Sequence, residues 1–228
     1  MLAAPAPTSG MPLGLLRLVL RANLQPEESL HPSWLPAPWP AHLRTRLGRL
    51  GPRARAALGD VLARQGVLAP APGYDFDSRV KRLLLLDPAS LRRLAFTTSL
   101  CAHAPLLRPR RGGLALLLRR QARRFDPGAL GFVLDRAPEL TALQMSAHPL
   151  KERPSGCGRL LVDRGYRLLL AVLAADGEAT AQRGQRMLPR RVAALEVPAL
   201  APRQKDQLVE LMLGCIVPER LAQWDWLF

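Results

Sequence analysis

The apolar residues of this chain are mostly leucine and alanine, and this restricts the secondary structure that it can form. Hydrophobic residues make up 48% of the 228 residues, whereas aromatic residues make up only 5%. Leucine and alanine are strong helix formers, and strands are instead enriched in β-branched and aromatic residues. A hydrophobic fraction of this size is sufficient for a buried core and too high for a disordered chain. The composition therefore predicts a mainly α fold.

Local start and stop signals predict where the helices lie. Asp87-Pro88 and Asp126-Pro127 each place a capping carboxylate before a proline at the first helical position. Gly66 and Gly177 follow apolar helical patterns and predict where two helices end. Together with the apolar periodicity, these signals predict helices at 12–22, 41–50, 52–65, from about 77, and at 87–103, 114–124, 127–136, 160–175, 178–187 and 203–216.

Proline and glycine define the connections between these helices. Residues 1–11 are predicted to be a flexible tail, and residues 12–228 a single compact helical domain with sub-lobes at 12–145 and 159–228. Long loops, several of them rich in proline, are predicted at 31–40, 67–76, 104–113, 146–158 and 188–202. The last of these loops has alternating apolar residues, so one short β element there is left open as an alternative.

Tryptophan residues are expected to fasten two of the irregular segments to the core. Trp34 and Trp39 lie in the proline-rich loop at 31–40. Trp224 and Trp226 precede Leu227 and Phe228, which form an apolar C-terminal segment. Because burial of one large aromatic side chain contributes roughly 1.5–3 kcal/mol, both segments are predicted to pack on the helices.

The basic charge is concentrated in one part of the chain. The formal net charge is +15, and 30 of the 33 basic residues are arginine. Residues 79–124 contain twelve basic residues and one acidic residue, Asp87. A basic surface favours acidic partners, nucleic acid or anionic membranes. Such an arginine bias also follows from a GC-rich coding sequence, so a plain solvated surface remains an alternative interpretation.

Seven arginines are the candidate partner-binding residues. The four on the helix at 114–124 fall within an arc of about 140° at 100° per residue. The leucines at 114, 117 and 118 lie mainly on the other side. This pattern predicts a face for acidic side chains, with phosphates of nucleic acid or lipid as the alternative. The candidate residues are Arg108, Arg110, Arg111, Arg119, Arg120, Arg123 and Arg124.

The remaining reactive residues have structural explanations. Cys101, Cys157 and Cys215 are far apart and lack CxxC spacing, which predicts neither a disulfide framework nor a zinc site and suits a reducing cytoplasm. Cys157 lies between glycines where a helix begins, and His103 ends a helix, where an imidazolium suits the dipole. No nucleotide-binding or hydrolase motif occurs. We therefore expect no catalytic residues, no metal and no cofactor.

Hydropathy predicts no membrane insertion. A membrane-spanning helix needs about 20 consecutive apolar residues. The longest uninterrupted apolar run of this chain, residues 168–175, has eight.

Four motifs, in order along residues 31–228, resemble a known family. The first is the His31-Pro-Ser-Trp-Leu35 turn, and the second is the leucine-rich segment at 83–94 around Asp87-Pro88. The third is the leucine run at 168–173 followed by Arg186-Met-Leu-Pro189. The fourth is the helix at 204–216, followed by a proline and a terminal aromatic-Leu-Phe. With this order and a similar length, the chain resembles the K component of bacterial type III secretion systems, the SctK family (YscK, PscK and relatives).

This resemblance implies a helical accessory protein without catalytic residues or a cofactor. Such a protein belongs to the cytoplasmic sorting platform, peripheral to the inner membrane. It would be a structural adaptor between the cytoplasmic domain of the SctD-like ring protein and the SctQ-like pod protein, and it would meet SctL and the ATPase indirectly. The arginines at 108–124 match no family feature. A basic helical nucleic-acid-binding protein is the alternative interpretation.

Overall fold

The chain folds into helices packed around one large core. The computed structural model describes residues 12–35, 49–68, 73–109, 112–143, 145–153 and 156–228. In these ranges it is an α structure without a strand, which confirms the predicted fold class. Twelve α-helices occur there: α1 Leu13–Leu24, α2 Pro52–Arg64, α3 Pro88–Ala102, α4 Ala104–Leu107, α5 Gly113–Phe125, α6 Pro127–Asp135, α7 His148–Glu152, α8 Cys157–Ala174, α9 Glu178–Met187, α10 Arg190–Ala193, α11 Pro202–Val209 and α12 Val217–Arg220.

Helices α3 and α8 form the centre of the fold. The Asp87 carboxylate caps α3 by accepting from the backbone N–H groups of Ala89 and Ser90, both at 2.9 Å. A glycine at 165 lets α8 approach α3 closely, because a Cβ there would lie 1.8 Å from the Ala95 carbonyl oxygen. Most of the facing residues of both helices are buried. This pair therefore supports the elements that surround it.

The predicted helix ends are confirmed where glycine has a positive φ. Gly66 follows α2 with φ 65°, and Gly177 separates α8 from α9 with φ 146°. A residue with a Cβ adopts these conformations only with strain, so glycine suits the end of each helix. The predicted helix at 41–50 and the tail at 1–11 lie outside the described residues, apart from residues 49 and 50.

Three connections contain short helices that the sequence did not predict. They are α4 in the predicted loop at 104–113, α7 in the break at 146–158, and α10 in the segment at 188–202. The alternative of a β element in that last segment is wrong, since a strand needs a neighbouring strand for its backbone hydrogen bonds. The helix predicted to start near residue 77 is a 3₁₀ turn at Lys81–Leu85.

The last long helix changes its geometry before it ends. Helix α11 continues as a π-helical segment, Glu210–Ile216, and then as α12. Pro218 lies in α12 and has no N–H to donate to a carbonyl one turn earlier. We attribute the π-helical segment to this missing donor. In a π-helix each N–H bonds to the carbonyl five residues earlier, so a carbonyl that Pro218 leaves without a donor can accept from the next residue.

The turn at residues 31–35 packs against the start of α10. The Trp34 indole Nε1 donates to the Leu188 carbonyl at 2.9 Å, and the Arg186 guanidinium lies 4.3 Å from the Trp34 ring centroid. Leu30 and Leu35 form a second, smaller core with Leu58 and Leu62 of α2. This confirms that Trp34 fastens the turn, whereas Trp39 lies outside the described residues.

The C-terminal segment is docked on the core, although Trp224 is only half-buried and Trp226 is exposed. Leu227 is 1% exposed, and Trp226 is 55% exposed with its ring over Gly14 of α1. The Trp224 indole donates to the Ser90 hydroxyl at 2.9 Å. The expectation that Trp226 is buried is therefore wrong, because neighbouring Leu227 fills the core position.

The main core joins residues from Leu15 in α1 to Leu227, on both sides of the break at 146–158.

In the part of the chain that the structure describes, no helix is both long and apolar enough to cross a membrane.

Candidate functional site

Helix α5 carries the candidate arginines on a scaffold of buried small and apolar residues. It begins after Gly112, whose φ of 118° turns the chain into the helix. Ala115, Leu118 and Ala122 are buried against the core. Because these residues recur every three or four positions, the opposite side of the helix faces solvent.

The outward face of α5 combines three arginines with one leucine. Arg120, Arg123 and Arg124 are exposed. Leu116 is 56% exposed and lies one helical turn before Arg120. None of the three arginines forms an ion pair with a carboxylate of the described residues. We call these four residues the basic face. The sequence reasoning missed Leu116, although its spacing from Arg120 could have identified it.

Arg119 has a different environment from its three neighbours on α5. Its Nε and Nη2 atoms donate to the Leu107 carbonyl at 2.9 and 2.6 Å, and Nη2 also reaches the Arg108 carbonyl at 3.2 Å. These are carbonyls at the end of α4, which lack partners within that helix. Arg119 is half-buried and holds α4 against α5. Its Nε and Nη2 donors are therefore already used within the fold.

Arg108, in the loop before α5, has a carboxylate partner among the described residues, unlike the arginines of the basic face. Arg108 pairs with Glu139, with 2.5 Å between Nη1 and Oε1. Both side chains are exposed, so the pair contributes little to stability. Arg110 and Arg111 lie outside the described residues.

The carboxylate nearest in sequence to the basic face is occupied by other arginines. Asp126 follows α5 and caps α6 by accepting from the Gly128 N–H at 3.1 Å. It also accepts from Arg220 Nη2 at 2.5 Å, and Arg93 Nε lies 3.4 Å from its other oxygen. The sequence reasoning did not connect Asp126 with Arg220, which lies 94 residues later in the chain.

The aromatic residue at the end of α5 is covered by its neighbours. The Phe125 ring stacks on Phe96 of α3, with 4.1 Å between ring centroids. The Arg92 guanidinium lies 4.7 Å from the Phe125 centroid. A nucleic-acid base stacks on an accessible aromatic face, and this ring already has neighbours on that surface.

A cavity of about 440 Å³ lies beside Arg108, between the end of α3 and residues 138–145. His103 lines this cavity and is 1% exposed. Its Nε2 lies 2.7 Å from Arg164 Nη1, and because arginine can only donate, Nε2 is the acceptor. Burial, and then the Arg164 charge, lower the pKa of His103 to about 4. His103 is therefore neutral near pH 7, and the expectation of an imidazolium at this helix end is wrong.

We expect acid to destabilise the protein through His103. The unfolded chain takes up a proton near pH 6.5, but folded His103 does so only near pH 4. The contribution of His103 is therefore complete above about pH 6.5 and decreases as the pH falls towards 4, by up to about 3 kcal/mol. Urea unfolding of the wild type and of His103→Gln at pH 7, 5.5 and 4.5 measures this difference.

The control for this prediction is His148→Gln, at a histidine whose side chain is 74% exposed. It should keep the acid sensitivity of the wild type. If His103→Gln loses stability with pH as steeply as the wild type, the neutral buried state of His103 is contradicted.

The cysteines are placed in the core and beside it. Cys157 is the first residue of α8, and both Cys157 and Cys101 are buried. Burial raises the pKa of both thiols, so they are protonated near pH 7. A reactive cysteine needs thiolate character and access. Among the described residues, no three histidine, cysteine or acidic side chains come together in a group suited to a metal ion.

Comparison with known proteins finds no match, whether with a family, a curated protein or a solved structure.

Proposed function

We propose that this chain is a non-enzymatic structural adaptor that binds an acidic protein surface through the basic face of α5. The observation that carries the proposal is the combination of exposed Arg120, Arg123 and Arg124 without a carboxylate partner among the described residues. Three unneutralised charges on one rigid helix face attract an acidic partner and orient it. The helix itself is held by the core, so the face is formed before binding.

The composition of the face favours a protein over nucleic acid. Leu116 is 56% exposed beside Arg120 and offers an apolar contact, which a protein interface uses at its centre. Phe125, the aromatic residue of this helix, is stacked on Phe96 and covered by Arg92. A non-specific nucleic-acid surface interleaves basic residues with accessible aromatic residues. We therefore place the nucleic-acid alternative second.

The resemblance to the SctK family suggests the protein assembly to which the adaptor belongs. We propose a cytoplasmic location at the sorting platform of a type III secretion system, peripheral to the inner membrane. The partners would be a SctQ-like pod protein and the cytoplasmic domain of a SctD-like ring protein, with SctL and the ATPase reached indirectly. The mainly helical fold and the docked turn at His31–Leu35 are compatible with this assignment. No specific nucleic acid and no membrane insertion are part of the proposal.

Charge reversal on the basic face tests the proposal. Arg120→Glu with Arg124→Glu should reduce the amount of pod protein or ring cytoplasmic domain recovered in a pull-down with the purified chain. The two residues are neighbours four positions apart, so the reversal places repulsive charge in the middle of the face. The fold should persist, because substitutions of exposed charges usually alter stability by less than about 0.5 kcal/mol.

The matched control is the double variant Arg53→Glu and Arg203→Glu. Both residues are exposed on other helices, and the net charge changes by the same amount. This control should bind both partners like the wild type. If the basic-face variant keeps both pull-downs but loses sub-micromolar binding to DNA or RNA at physiological salt, the nucleic-acid alternative replaces the adaptor proposal. If neither kind of binding changes, the arginines are a solvated surface.

A further inference from the structure

A second group of basic side chains surrounds a small cavity away from the outward face of α5. The cavity has a volume of about 230 Å³ and lies where the turn at residues 31–35 meets α3, α8 and α10. Its polar lining consists of His31, Arg92, Arg159, Tyr166 and Arg191. These residues are up to 160 positions apart in the chain, so only the tertiary structure brings them together.

The walls of this cavity are fixed by backbone hydrogen bonds. The His31 N–H donates to the Arg186 carbonyl at 2.9 Å, and the Arg190 N–H donates to the Ser33 hydroxyl at 2.8 Å. These two hydrogen bonds attach the turn at residues 31–35 to α9 and to α10, the helix that contains Arg191. Arg159 and Tyr166 project from α8, which packs closely against α3. The backbone of the turn is therefore held in place at the edge of the cavity before any ligand arrives.

The cationic groups at the cavity outnumber the carboxylates that contact them. Arg191 donates to Asp163 through Nη2 at 2.6 Å and through Nε at 3.3 Å. Arg159 Nε lies 3.9 Å from the same carboxylate, too far for a hydrogen bond. Arg92 has no carboxylate partner among the described residues and rests on the Phe125 ring. One carboxylate, Asp163, thus lies near two of the three guanidinium groups, and a net positive charge remains.

The two uncharged polar side chains of the lining also offer hydrogen-bond donors. The Tyr166 side chain lines the cavity, and its hydroxyl makes no hydrogen bond with the described residues. The His31 Nδ1 accepts from the Ser33 N–H, so the proton of the neutral ring is on Nε2. Burial, together with the Arg191 charge, lowers the pKa of His31 and keeps the ring neutral near pH 7. The Tyr166 hydroxyl lies at the cavity and can donate to an acceptor group there.

We propose that this cavity is a binding site for a tetrahedral oxoanion of the phosphate class, either inorganic phosphate or the phosphoryl group of a small monoester. A lining of guanidinium, imidazole and phenol donors matches an acceptor-only group with several oxygens. The volume is several times the roughly 30 Å³ occupied by a water molecule. It is smaller than the roughly 300–1,000 Å³ typical of drug-sized ligands, which favours a compact anion. The site does not depend on the adaptor proposal.

Calorimetric titration of the full-length chain with inorganic phosphate tests this site. The buffer is Tris-chloride at pH 7.5, with sodium chloride added to keep the ionic strength constant. The wild type should bind phosphate with saturable heat and one site per chain. A second titration, with glycerol 3-phosphate, shows whether the site prefers a phosphate monoester or free inorganic phosphate. Tighter binding of the ester assigns the site to an esterified phosphoryl group, and tighter binding of phosphate assigns it to the free ion.

Three substitutions localise the binding. Arg159→Gln and Arg92→Gln should each weaken phosphate binding by about tenfold or more, because a hydrogen bond to a charged group is lost. Tyr166→Phe removes only the unpartnered hydroxyl and should weaken binding by several-fold. The Arg159 side chain is 69% exposed, so its replacement leaves the fold intact. Arg159→Gln therefore decides the test even if Arg92→Gln proves unstable without its contact to Phe125.

The matched control is Arg120→Gln with Arg124→Gln, which removes two charges from the basic face. It should bind phosphate as the wild type does. The proposal is overturned if phosphate produces no saturable heat at constant ionic strength. It is also overturned if Arg159→Gln binds as tightly as the wild type, or if the control loses as much affinity as Arg159→Gln.

Discussion

Replacing Gly165 with alanine should lower the free energy of unfolding by at least about 3 kcal/mol, because the new methyl group overlaps the backbone of the facing helix. A Cβ at residue 165 would lie 1.8 Å from the Ala95 carbonyl oxygen and 2.9 Å from the Ala95 Cα. No rotamer change relieves contact with a backbone, so α3 and α8 must move apart. Thermal unfolding should occur roughly 6–12 °C lower in a chain of this size.

The matched control for Gly165→Ala is Gly131→Ala. Gly131 also lies inside a helix, α6, but a Cβ there meets nothing within 4 Å. Alanine is the better helix former, so this variant should be more stable than the wild type by roughly 0.5–1 kcal/mol. Equal melting temperatures for the two variants would contradict the close approach of α3 and α8.

Deleting residues 224–228 should have the second large effect on stability. The deletion removes Leu227, which is 1% exposed, and the Trp224 hydrogen bond to Ser90 at the start of α3. It also removes the Leu227 carbonyl, which accepts from Arg82 at 3.0 Å. Loss of a buried leucine alone costs about 2–5 kcal/mol. We expect the free energy of unfolding to fall by at least about 3 kcal/mol in urea unfolding, with a clearly lower melting temperature.

Two single substitutions show which residue of this segment is responsible. Leu227→Ala should reproduce most of the loss, because Leu227 fills the core position. Asp225→Ala should stay within about 0.5 kcal/mol of the wild type, since its side chain is exposed. An unchanged melting temperature after the deletion would show that the segment is a free docking peptide instead of part of the core.

Helix positions were predictable wherever a local signal exists. The carboxylate of Asp87 caps α3 through residues two and three positions away, and that of Asp126 caps α6 through the residue two positions away. Gly177 ends α8 through its own backbone conformation. The short helices α4, α7 and α10 were not predictable, because one turn has too few residues to show a period.

The mainly α fold, most of the helix ends and the arginine side of α5 follow from the amino-acid sequence alone. These features depend on hydrogen bonds and side-chain spacing within a few residues, so they can be read locally. In contrast, it is the packing of α4 on α5 that makes Arg119 donate to the Leu107 carbonyl while Arg120 faces solvent. Packing also made His103 neutral and gathered His31, Arg159 and Arg191 around one cavity. Burial and the identity of a distant partner depend on how helices pack, which the spacing of residues along one helix does not specify.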